Sequence, residues 1–125
     1  MTAILVDTDV VVEVLRERDP VLLEEWLRLA SSSEPVFYSP VTAAELWRGA
    51  RKKEEAAIGT LLSALTCVPI DEEIGRRAGD YLRVYRASHG TELGDALIAA
   101  TAAVHGCALW TRNRRHYPMK DIELR

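Results

Sequence analysis

Ala3-Ile4-Leu5-Val6-Asp7-Thr8-Asp9 opens the chain with apolar residues that run straight into two carboxylates one residue apart. A short, fully apolar run ending in acids reads as a buried strand. In an open α/β sheet, ligands bind beyond the carboxyl ends of the strands. The stretch therefore predicts a central strand that delivers Asp7 to a site.

The elements downstream follow the same logic. Val10, Val11, Val14 and Leu15 share one helical face, and Glu13, Arg16 and Glu17 share the other. This pattern predicts a helix despite the β-branched run, with Val12 out of phase and Thr8 or Asp9 as the cap. Asp19-Pro20 is a cap followed by a first-turn proline. It opens a helix to about Ala30, with Leu22, Leu23, Trp26, Leu27 and Ala30 inward, and Ser31-Ser32-Ser33 form the loop after it. Residues 36–38 read as a second strand. Ser39-Pro40 repeats the cap-and-proline signal and starts a helix carrying Glu45 and Trp47, with Gly49 as a break or a close approach. A helix over residues 54–65 precedes a third strand over 67–70. Asp71 caps a helix to Ser88 that Gly90 stops. Thr91 caps a helix, apolar nearly all round, that runs to Gly106. A fourth strand over 107–110 leads into Thr111-Arg112-Asn113, a short turn over 114–117 and an edge strand over 122–124. Strands alternating with helices predict an α/β fold with a parallel sheet covered on both faces.

The 125 residues, 48% of them hydrophobic, suit a single domain over residues 1–125. Neither a membrane-spanning run nor a secretory leader is evident, so a soluble cytoplasmic protein is expected. Cys67 and Cys107 fit no metal or redox spacing and are expected to be reduced, buried thiols in neighbouring strands. A net charge of −3 excludes a blanket polycation. Two basic islands remain, Arg48, Arg51, Lys52 and Lys53, and Arg112, Arg114 and Arg115. Either can meet a phosphate backbone locally.

The chemistry lies in acids at the ends of elements. Asp7 follows strand one, Glu45 lies early in the helix after strand two, Asp95 lies near the start of the apolar helix, and Asn113 follows strand four. A parallel sheet gathers such positions at one edge. Three carboxylates in one pocket cannot all stay ionised without a counter-charge. A hard divalent cation with oxygen ligands, Mg²⁺ or Mn²⁺, is the natural partner.

These segments carry a family resemblance. Leu5-Val6-Asp7-Thr8-Asp9, Thr42-Ala43-Ala44-Glu45-Leu46, residues 94–102 around Asp95, and residues 109–117 around Asn113 are similar to the four motifs of PIN-domain ribonucleases. The nearest likeness is to the VapC-type toxins of prokaryotic toxin–antitoxin pairs, in family order and across nearly the whole chain. The resemblance implies a three-layer α/β/α sandwich with a central parallel sheet and metal-dependent hydrolysis of RNA phosphodiesters. It implies a catalytic set of Asp7, Glu45, Asp95 and Asn113, with Asp7, Asp95 and Glu45 holding Mg²⁺ or Mn²⁺. The neutral Asn113 stands at a position that is often Asp. Thr111 is expected to orient a water or a carboxylate, and Asp9 is an outer contact or a helix cap. Arg112, Arg114 and Arg48 are expected to meet RNA. The implied partners are a cognate antitoxin and a second copy of the chain.

Plainer readings stand beside each of these. Thr42-x-x-Glu45 is also a capping box, Asp95 also suits a helix dipole, and Asn113 also suits a turn cap. Glu92 reads as a first-turn acid. Trp47 and Trp110 read as core or dimer packing, with base stacking as the alternative; His116, before the aromatic Tyr117, reads as packing, and His89, His105 and His116 share no zinc spacing. Rival functions are a housekeeping RNA-processing nuclease of the same family and a catalytically weak domain that binds RNA or an antitoxin. A phosphatase of the haloacid-dehalogenase type also opens with Asp-x-Asp, but Val11 stands where those enzymes have a threonine.

Overall fold

The computed structural model describes residues 3–125. In chain order the elements are β1 (Ile4–Val6), α1 (Thr8–Arg16), α2 (Pro20–Ala30), β2 (Val36–Tyr38), α3 (Pro40–Gly49), α4 (Glu55–Ser63), β3 (Thr66–Cys67), α5 (Glu72–His89), α6 (Leu93–His105), β4 (Ala108–Trp110) and β5 (Glu123–Leu124). Single 3-10 turns at Lys52–Glu54 and Arg114–His116 complete the list. The sheet is parallel throughout, in the order β3-β2-β1-β4-β5. The chain leaves β1 for β2 and β3 on one side and returns to β4 on the other. The order therefore reverses between β1 and β4, and a crevice opens there at their carboxyl ends.

The two faces of β1 separate two cores. Ile4 and Val6, with Trp110, pack against Val10, Val11 and Val14 of α1, Leu22 and Leu29 of α2, Leu46 of α3, and Ile58 and Leu62 of α4. Leu5 and Leu109 pack on the other side, against Ile74, Ala78 and Tyr81 of α5 and the alanine-rich α6. The result is the expected α/β/α sandwich. The valine run forms α1 because Val10 and Val11 are fully buried against the sheet, and that burial outweighs their weak helix propensity.

The expected punctuation holds at several ends. Asp19 accepts from the Val21 and Leu22 N–H groups, and Ser39 accepts from the Val41 N–H. Asp71 accepts from the Ile74 N–H. Gly90 and Gly106 close α5 and α6 in the left-handed conformation, at φ 67° and 65°. Gly49 ends α3, but a side chain there would meet nothing within 4 Å, so no close approach requires it.

Several expectations are corrected. The cap of α1 is Asp7, whose carboxylate accepts from the Thr8 N–H, and not Thr8 or Asp9. The cap position of α6 is Glu92; Thr91 is fully buried and donates its hydroxyl to the His116 carbonyl. On α2, Leu29 is buried while Leu27 and Ala30 face outward, because the helix lies against the sheet along the stripe through Leu22 and Leu29. The third strand is two residues long and ends at Cys67, on the outer edge of the sheet. Cys67 is therefore exposed, and two strands separate it from the buried Cys107. Among the described residues no helix is long and apolar enough to cross a membrane.

Leu109, with no exposed surface, tests the core under α5 and α6. Leu109→Ala is expected to destabilise the protein by about 2–5 kcal/mol, read as a lower urea midpoint at unchanged slope. The exposed Val21→Ser should stay within about 0.5 kcal/mol of the parent.

Candidate active site

The crevice between β1 and β4 holds a pocket of about 440 Å³ lined by Asp7, Thr8, Asp9, Val12, Glu13, Arg16, Glu45, Asp95, Arg112 and Asn113. The structure thus brings together all four residues expected to form the catalytic set. They come from four separate segments.

Asp7 is the anchor. Its backbone N–H donates to the Trp110 carbonyl at 2.9 Å, which extends the β1–β4 ladder by one bond past the strand end. Its Oδ1 accepts from the Thr8 N–H at 2.8 Å, and its Oδ2 accepts from the Thr111 hydroxyl at 2.8 Å. The residue is 6% exposed. Burial, and then the neighbouring Asp9 carboxylate, push Asp7 up from 3.8 to about 6, against the pull of its hydrogen bonds. Thr111 is a polar residue buried to bond one carboxylate. Its Oγ1 also accepts from the Asn113 N–H at 2.9 Å, so one hydroxyl ties the residue after β4 to both acid positions.

Asp9 lies in the first turn of α1, where its Oδ2 accepts from the Arg112 N–H at 3.0 Å. Burial raises its pKa too, and the Arg112 N–H opposes that shift. Its Oδ1 is buried without a hydrogen-bond partner. Glu45 is not a helix cap, because Ser39 caps α3 two turns earlier. Instead its Oε1 accepts from the Thr8 hydroxyl at 2.7 Å. Thr8 Oγ1 lies 2.9 Å from the Thr42 Oγ1. Since Thr8 has one proton and gives it to Glu45, the fully buried Thr42 donates to Thr8. Neither threonine was legible as part of the site, since their roles depend on α1 and α3 meeting.

Asp95 keeps its helical role. Its Oδ2 accepts from the Glu92 N–H at 3.1 Å at the start of α6. The same oxygen lies 3.4 Å from His116 Nδ1. The Asn113 side chain makes no capping bond; its amide meets His116 Nδ1 at 2.9 Å. Arg112, expected at the RNA, is engaged by Asp19 at 3.3 Å and Glu13 at 3.8 Å. Arg48 and Arg114 are exposed and make no ion pair among the described residues. Trp110 is buried and stacks at a tilt on Trp26, so its ring serves the core; Trp47 is 44% exposed on α3.

The donor set can be tested against a cation. Five carboxylates line the pocket against two arginines. Asp9 Oδ1 is an orphaned acceptor, and burial together with the Asp9 carboxylate pushes Asp7 toward its neutral form. All-oxygen ligands fit a hard divalent ion. Among the described residues no three acids or imidazoles are drawn tightly enough to hold an ion directly. Some of the contacts would therefore run through water, as Mg²⁺ commonly keeps several waters.

Comparison with known proteins gives the family and the fold. Residues 4–122 match the PIN domain family. Ribonuclease VapC10 of Mycobacterium tuberculosis is 44% identical over 117 residues, which cover 93% of this chain and 86% of the relative. The chain belongs to the PIN-domain family, among the VapC ribonucleases. VapBC2 from Rickettsia felis, solved with a DNA fragment from its promoter, shares the fold with a TM-score of 0.82 at 21% identity, over 98% of this chain and 97% of that one. A toxin–antitoxin complex from Klebsiella pneumoniae superposes with a TM-score of 0.74 at 25% identity, over 98% of this chain and all (100%) of the other.

The shift on Asp7 has a consequence for stability. Its folded value, about 6, lies above the ordinary 3.8, so the folded state holds the proton more tightly than the unfolded chain. Stability in the presence of a chelator is then lost as pH rises from about 4 through about 6. Asp7→Asn is expected to stabilise the chelated protein by roughly 1–3 kcal/mol near neutral pH and to give no gain below about pH 4. Melting curves across that pH range check it, and equal stabilities at neutral pH would contradict it.

Proposed function

We propose that this chain is a divalent-metal-dependent endoribonuclease and the toxin of a toxin–antitoxin pair, its residues forming one catalytic domain. The observation that carries the proposal is the single acidic pocket at the β1–β4 switch point, holding Asp7, Glu45, Asp95 and Asn113. The identity to a named ribonuclease supports the substrate class. Asp7 and Asp95 would be the principal ligands of Mg²⁺ or Mn²⁺, with Glu45 binding through water or orienting the nucleophile. When bound, such an ion lowers the pKa of a water and steadies charge on the phosphate.

The chain's own residues set the geometry. Thr111 holds Asp7 by one oxygen, and the Thr8 N–H holds it by the other. The Thr42–Thr8 pair holds Glu45, and the Glu92 N–H holds Asp95. Asn113 contributes a polar contact without a charge. The exposed Arg48 and Arg114 offer phosphate contacts, whereas Arg112 does so only by leaving Glu13 and Asp19. A cytoplasmic location is consistent with an RNA substrate.

The antitoxin reading has its own support. The Klebsiella pneumoniae neighbour is a toxin–antitoxin complex. A largely apolar groove of about 400 Å³ between α1, α3 and α4, lined by Leu15, Leu46, Ala57 and Ile58 among others, shares Val12, Arg16 and Glu45 with the acidic pocket. An amphipathic antitoxin helix laid there could place a basic side chain among the acids. Exposed Trp47, Val84 and Leu93 supply apolar area for a homodimer. The neutral Asn113 alone favours a second reading, a catalytically weak binder.

The purified chain should cleave structured RNA with Mg²⁺ or Mn²⁺, lose activity in EDTA and recover on readdition of metal. Asp7→Ala and Asp95→Ala should each lower the rate by about 10³-fold or more, roughly 4 kcal/mol of barrier. Cleavage that persists in EDTA, or in both variants, would refute the nuclease assignment.

A further inference from the structure

Two buried side-chain polar atoms among the described residues have no hydrogen-bond partner, Asp9 Oδ1 and the Tyr117 hydroxyl. Both belong to the surroundings of Asp7. A buried hydroxyl left unpaired is a standing cost, and native structures keep few of them. Packing does not account for this one. The Tyr117 ring is 2% exposed, and its neighbours in the core include Leu109, Met119 and Ala96. A phenylalanine would fill the same space without the orphan. The polar groups that the hydroxyl does feel are the carboxylates of Asp7, Asp95 and Asp9, and both their charge and burial keep it protonated. Of these acids only Asp7 lies within reach of a hydrogen bond from the hydroxyl, and that contact falls short of ordinary hydrogen-bond geometry.

We propose that Tyr117 is a positioning residue of the cation site, whose hydroxyl donates to the Asp7 carboxylate in its ionised, metal-holding form. The inference rests on the function proposed above. An ionised carboxylate offers about four acceptor sites. The Thr8 N–H and the Thr111 hydroxyl occupy one site on each oxygen of Asp7. The Tyr117 O–H takes a third, which leaves the cation the last and limits how the carboxylate can turn. Thr111 and Tyr117 both follow β4, one just beyond the strand and the other after the 3-10 turn, so the same segment grips Asp7 twice. The unpaired hydroxyl of the metal-free protein is then the cost of a site built for its loaded state.

Tyr117→Phe removes this oxygen and nothing else. The metal-free variant should melt at the same temperature as the parent or higher, because the orphan is gone. Its Mn²⁺ dissociation constant, measured by calorimetry without RNA, should rise about tenfold, roughly 1.4 kcal/mol, and Mn²⁺ should raise its melting temperature less. RNA cleavage should lose kcat with KM unchanged. Tyr85→Phe, packed against the same core but not in contact with Asp7, should leave Mn²⁺ affinity unaltered. If the parent binds Mn²⁺ and Tyr117→Phe binds it equally well, the inference falls and the nuclease reading stands. A Tyr117→Phe variant that fails to fold, or melts lower without metal yet gains the full Mn²⁺ shift, makes Tyr117 a structural residue and also overturns it. If the parent itself binds no Mn²⁺, both readings fall together.

Discussion

A carboxylate held almost out of water at the end of the central strand is the constraint on which the rest of this structure depends. The Asp7 N–H prolongs the pairing with β4, and its oxygens are bonded by Thr8 and Thr111. Charge is expensive in such a place, and Asp7 responds by holding its proton more tightly. Everything around it is arranged to supply donors and to leave one side open to the acidic pocket. The cost falls on stability, the usual pattern at a functional site.

The other acids are held on the same plan by different elements. Glu45 is reached through two threonines, one on α1 and one on α3; Asp95 is fixed by the backbone N–H of Glu92, at the cap position of its own helix. Each support uses a group whose partner lies on a rigid element, so side-chain freedom is reduced before any ligand arrives. The acids line one pocket but, among the described residues, do not converge to direct ligation distances.

Much of this was legible in the residues. The run from Ile4 to Asp7 identified the central strand, because a strand buried on both faces must be apolar throughout. Asp19-Pro20, Ser39-Pro40 and Asp71 located helix starts, since capping is local chemistry. The errors have local causes as well. Asp7 displaced Thr8 and Asp9 as the cap of α1 because it is the single residue between the end of β1 and the start of the helix. Cys67 looked buried from its apolar neighbours, but a two-residue edge strand has no cover on its outer side. Leu27 lost its inward place to Leu29, because the tilt of a helix on a sheet is set by packing and not by the spacing of leucines alone.

By itself the sequence determined the alternation of strands and helices, the positions of Asp7, Glu45, Asp95 and Asn113 at element ends, and the family to which those motifs belong. These depend on period, caps and residue types, all of which are local. Only the tertiary structure decided which groups support the acids. The Thr111–Asp7 bond joins positions 104 residues apart, and the Thr8–Glu45 bond joins positions 37 apart. Nothing in the sequence singles out the Tyr117 hydroxyl, which the fold buries beside Asp7. Such contacts form where strands and helices meet at one edge of the sheet, and no periodicity along the chain encodes which side chains will meet there.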